Sequence, residues 1–193
     1  MSIDISESSF QHDVVERFSP LLSACGFGPA HVDDYTVRFE KPGAFVEIAF
    51  DARRSRELDV WVGRMDDPEP PLELADVLRA TDCAPERVEG VQLMQASEPE
   101  VLSRLLDRAF EALDACAQDF LRGYVDSFAR AKEIRSARAR EYTRQVRTSP
   151  DVTAADLAWQ RKDYRTVHAL LDPIRDELDA TQLRRLDFAS RRL

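Results

Sequence analysis

The sequence predicts an α+β fold: a three- or four-stranded antiparallel meander backed by helices and followed by an all-helical C-terminal extension. Three observations lead to this prediction. Apolar and polar residues alternate over three short runs between Thr36 and Gly63, and amphipathic helical patterns lie on both sides of these runs. After Gly123 only helical patterns occur. No stretch approaches 18 apolar residues, so we expect no membrane-spanning helix.

The first predicted element is a helix that begins after Ser9, its expected N-cap, and continues to about Cys25. Its apolar residues recur at helical spacing, and Gly26 is the expected stop. Pro20 lies inside this run and is expected to kink or divide the helix. We interpret residues 27–34 as a connector.

The three alternating runs predict three strands of an antiparallel sheet with one buried face. They are centred on Val37-Phe39, Val46-Ile48-Phe50 and Leu58-Val60-Val62, and two short polar segments join them. The apolar residues of all three strands must lie on one face of the sheet, and this restricts how the strands can pair. The simplest register places Phe39 opposite Val46 and Asp51 opposite Glu57.

This register also predicts the residues of the outer sheet face. Arg38, Glu47 and Trp61 align across the three strands, and Phe45 joins Trp61 as the second large apolar side chain on that face. Exposed aromatic residues among charges are typical of a binding hot spot. The alternative is that a helix of the same chain covers them.

The remaining N-terminal elements are less regular. Residues 65–71 form an acidic proline-rich loop, and a short helix is predicted from Leu72 to Arg79. Residues 91–94 fit either a fourth short strand or a loop. A long amphipathic helix is then expected over residues 98–122, ending at Gly123.

Beyond Gly123 the sequence predicts a helix to about Arg147, ended by Ser149-Pro150, and two or three short helices from Thr153 onward. We therefore predict an acidic α+β domain over residues 1–122. An arginine-rich helix with a repeat-like tail makes up residues 123–193.

The charge differs between these two parts. Residues 1–122 contain 25 Asp and Glu against 12 Lys and Arg, whereas residues 123–193 contain 11 against 15. The overall net charge of −9 disfavours nucleic acid as a partner, because phosphate repels a net anion. It favours a basic protein partner. Arg140, Arg144 and Arg147 share one helix side, which is interpreted either as a phosphate- or acid-binding face or as a solvated surface.

Catalytic patterns are not recognisable. His12, His31 and His168 lie in separate elements, and His31 with Asp33 and Asp34 offers too few ligands for a metal site. We therefore predict no enzymatic activity, no metal and no cofactor.

Cys25, Cys83 and Cys116 are widely spaced and odd in number, which predicts reduced thiols in a bacterial-type cytosol. The acidic, non-apolar start predicts no signal peptide, so the expected location is cytoplasmic.

Two resemblances add to this interpretation. The segment Ala154-Ala155-Asp156-Leu157-Ala158-Trp159, followed by Asp163-Tyr164 and the apolar Val167-His168-Ala169-Leu170-Leu171, resembles one tetratricopeptide-type helix pair without its usual glycine. The order of helix, meander and long helix ending in Phe120-Leu121-Arg122-Gly123 is similar to small bacterial proteins of the toxin-immunity type. This second resemblance implies inhibition by binding, without catalysis.

The predicted function is therefore binding of a protein partner, in the manner of an immunity-type or regulatory inhibitor. The predicted partner-binding residues are Phe45, Trp61, Arg38, Glu47, Asp66, Asp67 and Glu69. The alternative is a structural or adaptor protein that docks or forms a homodimer through its C-terminal helices.

Overall fold

The structure is a computed structural model that describes residues 7–193, apart from the side chains of residues 7–9 and Arg147. The predicted capping side chain of Ser9 therefore lies outside the described part. The chain has the predicted α+β fold, with a helical region at its C-terminal end.

A five-stranded antiparallel sheet with the strand order β1-β2-β3-β4-β5 forms the centre of the fold. Its strands are β1 (Gly28–Val32), β2 (Thr36–Lys41), β3 (Ala44–Phe50), β4 (Leu58–Arg64) and β5 (Leu72–Glu73). The predicted register is confirmed, since Phe39 pairs with Val46 and Glu47 lies between Arg38 and Trp61. The sheet is the predicted meander with one further strand at each edge.

The two edge strands differ from the prediction for different reasons. β1 was expected to be a connector, but its residues are mostly exposed and therefore lack the alternation that marks a half-buried strand. Its Pro29 fits an edge position. β5 has only two residues, at the start of the predicted 72–79 helix. Residues 91–94 form no regular strand, although the neighbouring Gln95 makes an isolated bridge with Glu57.

The described residues before Gly123 contain the helices α1 (Glu7–Ala24), α2 (Leu74–Arg79), α3 (Pro85–Gly90), α4 (Pro99–Cys116) and α5 (Gln118–Arg122). Pro20 does not divide α1. The helix predicted over residues 98–122 is divided at Ala117 into α4 and α5. Gly26 and Gly123 end their helices with positive φ values of 85° and 86°, as expected for left-handed stops.

The core lies between the inner face of the sheet and helices α1 and α4. Phe10 of α1 contacts Phe50 of β3, with ring centroids 5.9 Å apart, and Phe18 contacts Phe110 of α4 at 5.8 Å. The buried residues of β2, β3 and β4 on this face are Val37, Phe39, Ala44, Val46, Ile48, Phe50, Leu58, Val60 and Val62. They are the alternate residues that the sequence pattern indicates.

A disulfide bond corrects the prediction of three reduced thiols. Cys83, just before α3, is bonded to Cys116 at the end of α4, and their Cα atoms are 5.7 Å apart. Cys25 is free. The sequence could not indicate this pairing, because 33 residues separate the two cysteines and no CxxC spacing is present.

The chain divides into two compact units, the first ending at Arg135 and the second running over Ser136–Leu193. The division lies beyond the predicted boundary at Gly123, because Phe128 and Ala131 are buried in the core of the first unit.

Helix α6 extends over Val125–Gln160, so the predicted helix end at Ser149-Pro150 is wrong. A proline removes one backbone hydrogen bond, and residues beyond it, such as Ala155, are held in the core of the second unit.

The second unit contains the end of α6, then α7 (Tyr164–Leu171), a 3₁₀ helix (Asp172–Glu177) and α8 (Ala180–Ser190). Its small core includes Val167, Leu171 and Leu186. Trp159, Tyr164 and Phe188 form a ring cluster with centroids 5.4–5.7 Å apart. Within the described residues, none of the helices combines the length and apolar character needed to span a bilayer.

Replacing the helix-interior proline tests the continuity of α6. We expect Pro150→Ala to raise the free energy of unfolding of the second unit by about 1–3 kcal/mol, because the new N–H can donate to a helix carbonyl. The measurement is urea denaturation followed by Trp159 fluorescence in a Trp61→Phe background.

The matched control is Pro173→Ala. Pro173 occupies the first turn of the 3₁₀ helix, where the missing N–H costs little, so this change should bring no gain. If Pro150→Ala leaves the second unit no more stable than Pro173→Ala does, the chain is not helical through residue 150.

Candidate functional site

The outer face of the sheet carries most of the predicted partner-binding residues. Cross-strand pairing places Glu47 between Arg38 and Trp61, and Trp61 in turn lies opposite Glu73 of β5. Arg38 donates to Glu47 at 3.2 Å and to Glu40 at 2.7 Å. Trp61 is partly exposed between two acidic residues on the neighbouring strands.

Phe45 is buried. The expectation that it forms an exposed binding hot spot with Trp61 is therefore wrong for Phe45. The guanidinium carbon of Arg38 lies 3.7 Å from the centroid of the Phe45 ring. On the facing strand Gly63 leaves room for the ring, since a Cβ at residue 63 would lie 2.4 Å from the ring atom Cζ. Phe45 therefore belongs to the internal packing of this face, and Trp61 remains as its aromatic anchor.

A cavity of about 240 Å³ lies beside Phe45, between the sheet, the loop of residues 65–71 and the first turns of α6. Four of the predicted site residues line it: Arg38, Phe45, Asp67 and Glu69. Phe128 and Lys132 of α6 also contribute to its wall. The alternative that a helix of the same chain covers part of the outer face thus applies to the Phe45 end.

The acidic loop is held by basic side chains of the first unit. Asp67 pairs with Lys132, and Glu69 lies 3.5 Å from both Lys132 and Arg135. Arg135 also donates to the carbonyl oxygen of Pro71 at 2.9 Å. The hydrogen bond from Lys132 holds the pKa of Asp67 below its ordinary value. These loop carboxylates are already neutralised within the chain.

Asp66, the third carboxylate of the loop, pairs with Arg64 at 2.8 Å. This hydrogen bond lowers the pKa of Asp66. The predicted use of Asp66, Asp67 and Glu69 to attract a basic partner therefore requires that partner to compete with existing ion pairs.

A second acidic group lies on the sheet, and two of its three carboxylates have no basic partner among the described residues. Glu57, Asp59 and Glu73 line a cavity of about 190 Å³ together with Leu93 and Met94. We call Trp61 with these three carboxylates the acidic face. Among the residues that the structure describes, neither Asp59 nor Glu73 makes an ion pair.

Asp59 is the electrostatically unfavourable residue of the acidic face. Partial burial raises the pKa of Asp59, and the negative charges of Glu57, Glu73 and Asp51 raise it further. The ionised form of Asp59 is therefore disfavoured in the folded chain. A cationic group placed in the cavity would relieve both the desolvation and the repulsion.

The sequence contained part of the signal for the acidic face. Alternation along β4 places Asp59 on the same side as Trp61, two residues apart. Glu73 could not be added, because residues 72–79 were interpreted as a helix and the pairing of β5 with β4 was missed.

The basic side of α6 is less open than the sequence indicated. Arg144 forms two hydrogen bonds with the carboxylate of Glu141, at 2.7 and 2.9 Å, and donates to the carbonyl oxygen of Glu177 at 3.0 Å. Arg140 is exposed, and the side chain of Arg147 lies outside the described part of the chain. The structure thus places Arg144 in contacts inside the second unit.

The histidines lie in three separate elements. His12 is on α1 beside Glu16, His31 on β1 is 3.0 Å from Asp33, and His168 is on α7. In the described residues no group of three or more His, Cys, Asp and Glu side chains is arranged to hold a metal ion.

No protein-family model, curated protein or solved structure matches the chain.

Neutralising Asp59 should stabilise the fold. We expect Asp59→Asn to raise the free energy of unfolding at pH 7 by about 0.5 kcal/mol, a modest gain because solvent screens this partly exposed group. The pKa of Asp59 is raised in the folded chain. Below pH 3.8, its ordinary pKa, Asp59 is protonated in both the folded and the unfolded chain and does not destabilise the fold. Above its folded-state pKa, Asp59 is ionised in both states and its full destabilising effect is present. The gain should therefore disappear at low pH.

Asp66→Asn is the control, and we expect it to change the free energy of unfolding in the opposite direction. Its lowered pKa means that ionised Asp66 stabilises the fold, so this substitution should destabilise the chain at pH 7. Urea denaturation at several pH values measures both effects. A loss of stability in Asp59→Asn at pH 7 would contradict the assigned environment.

Proposed function

We propose that this chain is a non-enzymatic protein-binding module that inhibits or regulates its partner by covering a basic site with the acidic face of the sheet. The observation that carries the proposal is the unpaired carboxylate of Asp59. Its charge is disfavoured by burial and by its acidic neighbours. A residue that costs stability at a concave surface is a candidate for function.

The composition of the acidic face supports a protein partner. Trp61 offers a large, rigid contact surface of the kind that dominates binding energy in protein interfaces. The side chain of Leu93 is 69% exposed at the edge of the same cavity and adds apolar area. A cavity of about 190 Å³ is small for a metabolite but can accept the end of a lysine or arginine side chain.

Charge supports the basic character of the partner. The first 122 residues have an excess of Asp and Glu. The loop carboxylates are compensated by basic side chains, whereas Asp59 and Glu73 form no ion pair with any residue that the structure describes. Long-range attraction of a basic surface would accelerate encounter, and pairing in the partly desolvated cavity would give specificity. Inhibition follows if the covered basic site is the partner's own functional site, which is what the toxin-immunity resemblance implies.

Comparative capture from a native lysate tests this proposal. The full chain and its Trp61→Ala and Asp59→Lys variants are immobilised, and retained proteins are quantified by mass spectrometry. We expect one basic protein whose retention falls about tenfold or more in both variants, the loss typical of a hot-spot residue.

Glu111→Lys is the matched control, because Glu111 is exposed on α4 and the charge change equals that of Asp59→Lys. It should retain the same protein as the unmodified chain. If the variants and the control retain identical proteins, the acidic face does not bind the partner.

A second candidate function is self-association through the second unit, as in an adaptor or structural protein. The observation that favours it is a row of exposed apolar side chains along α6. Tyr142, Val146 and Leu157 are 69%, 55% and 49% exposed, and their spacing places them on one side of the helix. A second copy of the chain could cover this row.

Sedimentation velocity distinguishes this candidate from the first. If the row mediates a homodimer, the unmodified chain should sediment as a dimer and the Val146→Glu/Leu157→Glu variant as a monomer. Ala169→Glu adds a charge at an exposed position of α7 and should leave the dimer intact. A monomer at all concentrations of the unmodified chain removes this candidate.

A further inference from the structure

The Cys83–Cys116 disulfide lies at the surface of the first unit. Both cysteines are partly exposed, and the chain on either side of Cys83 is exposed at Asp82 and Ala84. An exposed segment around a disulfide leaves room for an attacking thiolate. The disulfide is thus partly exposed, and a second molecule can approach the segment around Cys83.

A cationic side chain lies next to one of the two sulfur atoms. The Nη1 atom of Arg87, on α3, is 3.9 Å from Sγ of Cys116, and Arg87 is exposed. Cys116 is the last residue of α4, where the negative end of the helix dipole disfavours a thiolate. The guanidinium offsets this effect and favours negative charge on the Cys116 sulfur.

This asymmetry sets the direction of thiol–disulfide exchange. A disulfide breaks faster when the sulfur that leaves is the better-stabilised thiolate. With Arg87 beside it, Cys116 is the better leaving group, and Cys83 is the sulfur to be attacked. In the described part of the chain, the hydrogen bond that Arg87 donates to this disulfide is to the sulfur of Cys116.

We propose that Cys83–Cys116 is a redox exchange site whose substrate is a dithiol reductant of the thioredoxin type. One thiolate of the reductant attacks Sγ of Cys83, the Cys83–Cys116 bond breaks, and Cys116 leaves as a thiolate beside Arg87. The second thiol of the reductant, after losing its proton to solvent, attacks its own sulfur in the mixed disulfide. Cys83 then leaves and takes up a proton, two electrons have passed to the cysteine pair, and the reductant is a disulfide.

The exchange site does not depend on the proposed partner-binding function, because neither Arg87 nor the two cysteines line the acidic face. It differs from a purely structural disulfide in being reducible in the folded chain. A structural disulfide would be reduced only when the chain unfolds.

The experiment measures reduction of the oxidised full-length chain by glutathione and by dithiothreitol without denaturant. We expect a rate proportional to the thiol concentration and faster than the unfolding rate measured in urea. Arg87→Gln should lower this rate about threefold, because it removes the positive charge that stabilises the leaving Cys116 thiolate. Arg104→Gln is the matched control, since Arg104 is also exposed and donates to the carbonyl oxygen of Glu100 in its own helix.

Peptide mapping after acid quenching gives the direction of attack. The glutathione adduct should be on Cys83, with Cys116 free. An adduct on Cys116, an Arg87→Gln rate equal to that of Arg104→Gln, or reduction limited by unfolding would each overturn the proposal. Circular dichroism of the oxidised Arg87→Gln variant verifies that its fold is intact.

Discussion

The packing of α1 and α4 against the inner face of the sheet is the interaction on which the other features depend. Burial of the alternate apolar residues of β2, β3 and β4 leaves every other residue of these strands on the opposite side. A shift of one residue would exchange the two faces, so the core also determines which polar groups are outside. Arg38, Glu47, Asp59 and Trp61 share a surface because Phe39, Val46, Val60 and Val62 share a core.

The sequence predicted those parts of the fold in which burial imposes a period. The three central strands, their register and the stops at Gly26 and Gly123 follow from local patterns and are present in the structure. β1, β5 and the disulfide depend on contacts between distant residues that leave no periodic trace. For the site, the composition of the outer face was predictable. Which carboxylates are paired was not, because Lys132 and Arg135 reach the 65–71 loop only in the folded chain.

Acidic residues thus have two different roles in the first unit. Those of the 65–71 loop are hydrogen-bonded to basic side chains and stabilise the position of that loop beside α6. Those around Asp59 repel one another in a partly buried cavity. Acidic residues therefore stabilise the fold at the 65–71 loop and destabilise it around Asp59. A basic partner that pairs with Asp59 would relieve this repulsion, and the relief would favour binding.

The contact between Phe45 and Gly63 also constrains how this chain can change in evolution. Phe45 fills the space that a side chain at residue 63 would need, so a larger residue there is compatible only with a smaller one at residue 45. The order of substitutions matters, since residue 45 has to shrink before residue 63 can grow. In an alignment of relatives, these two positions should covary in size, and a pair of large residues should be missing.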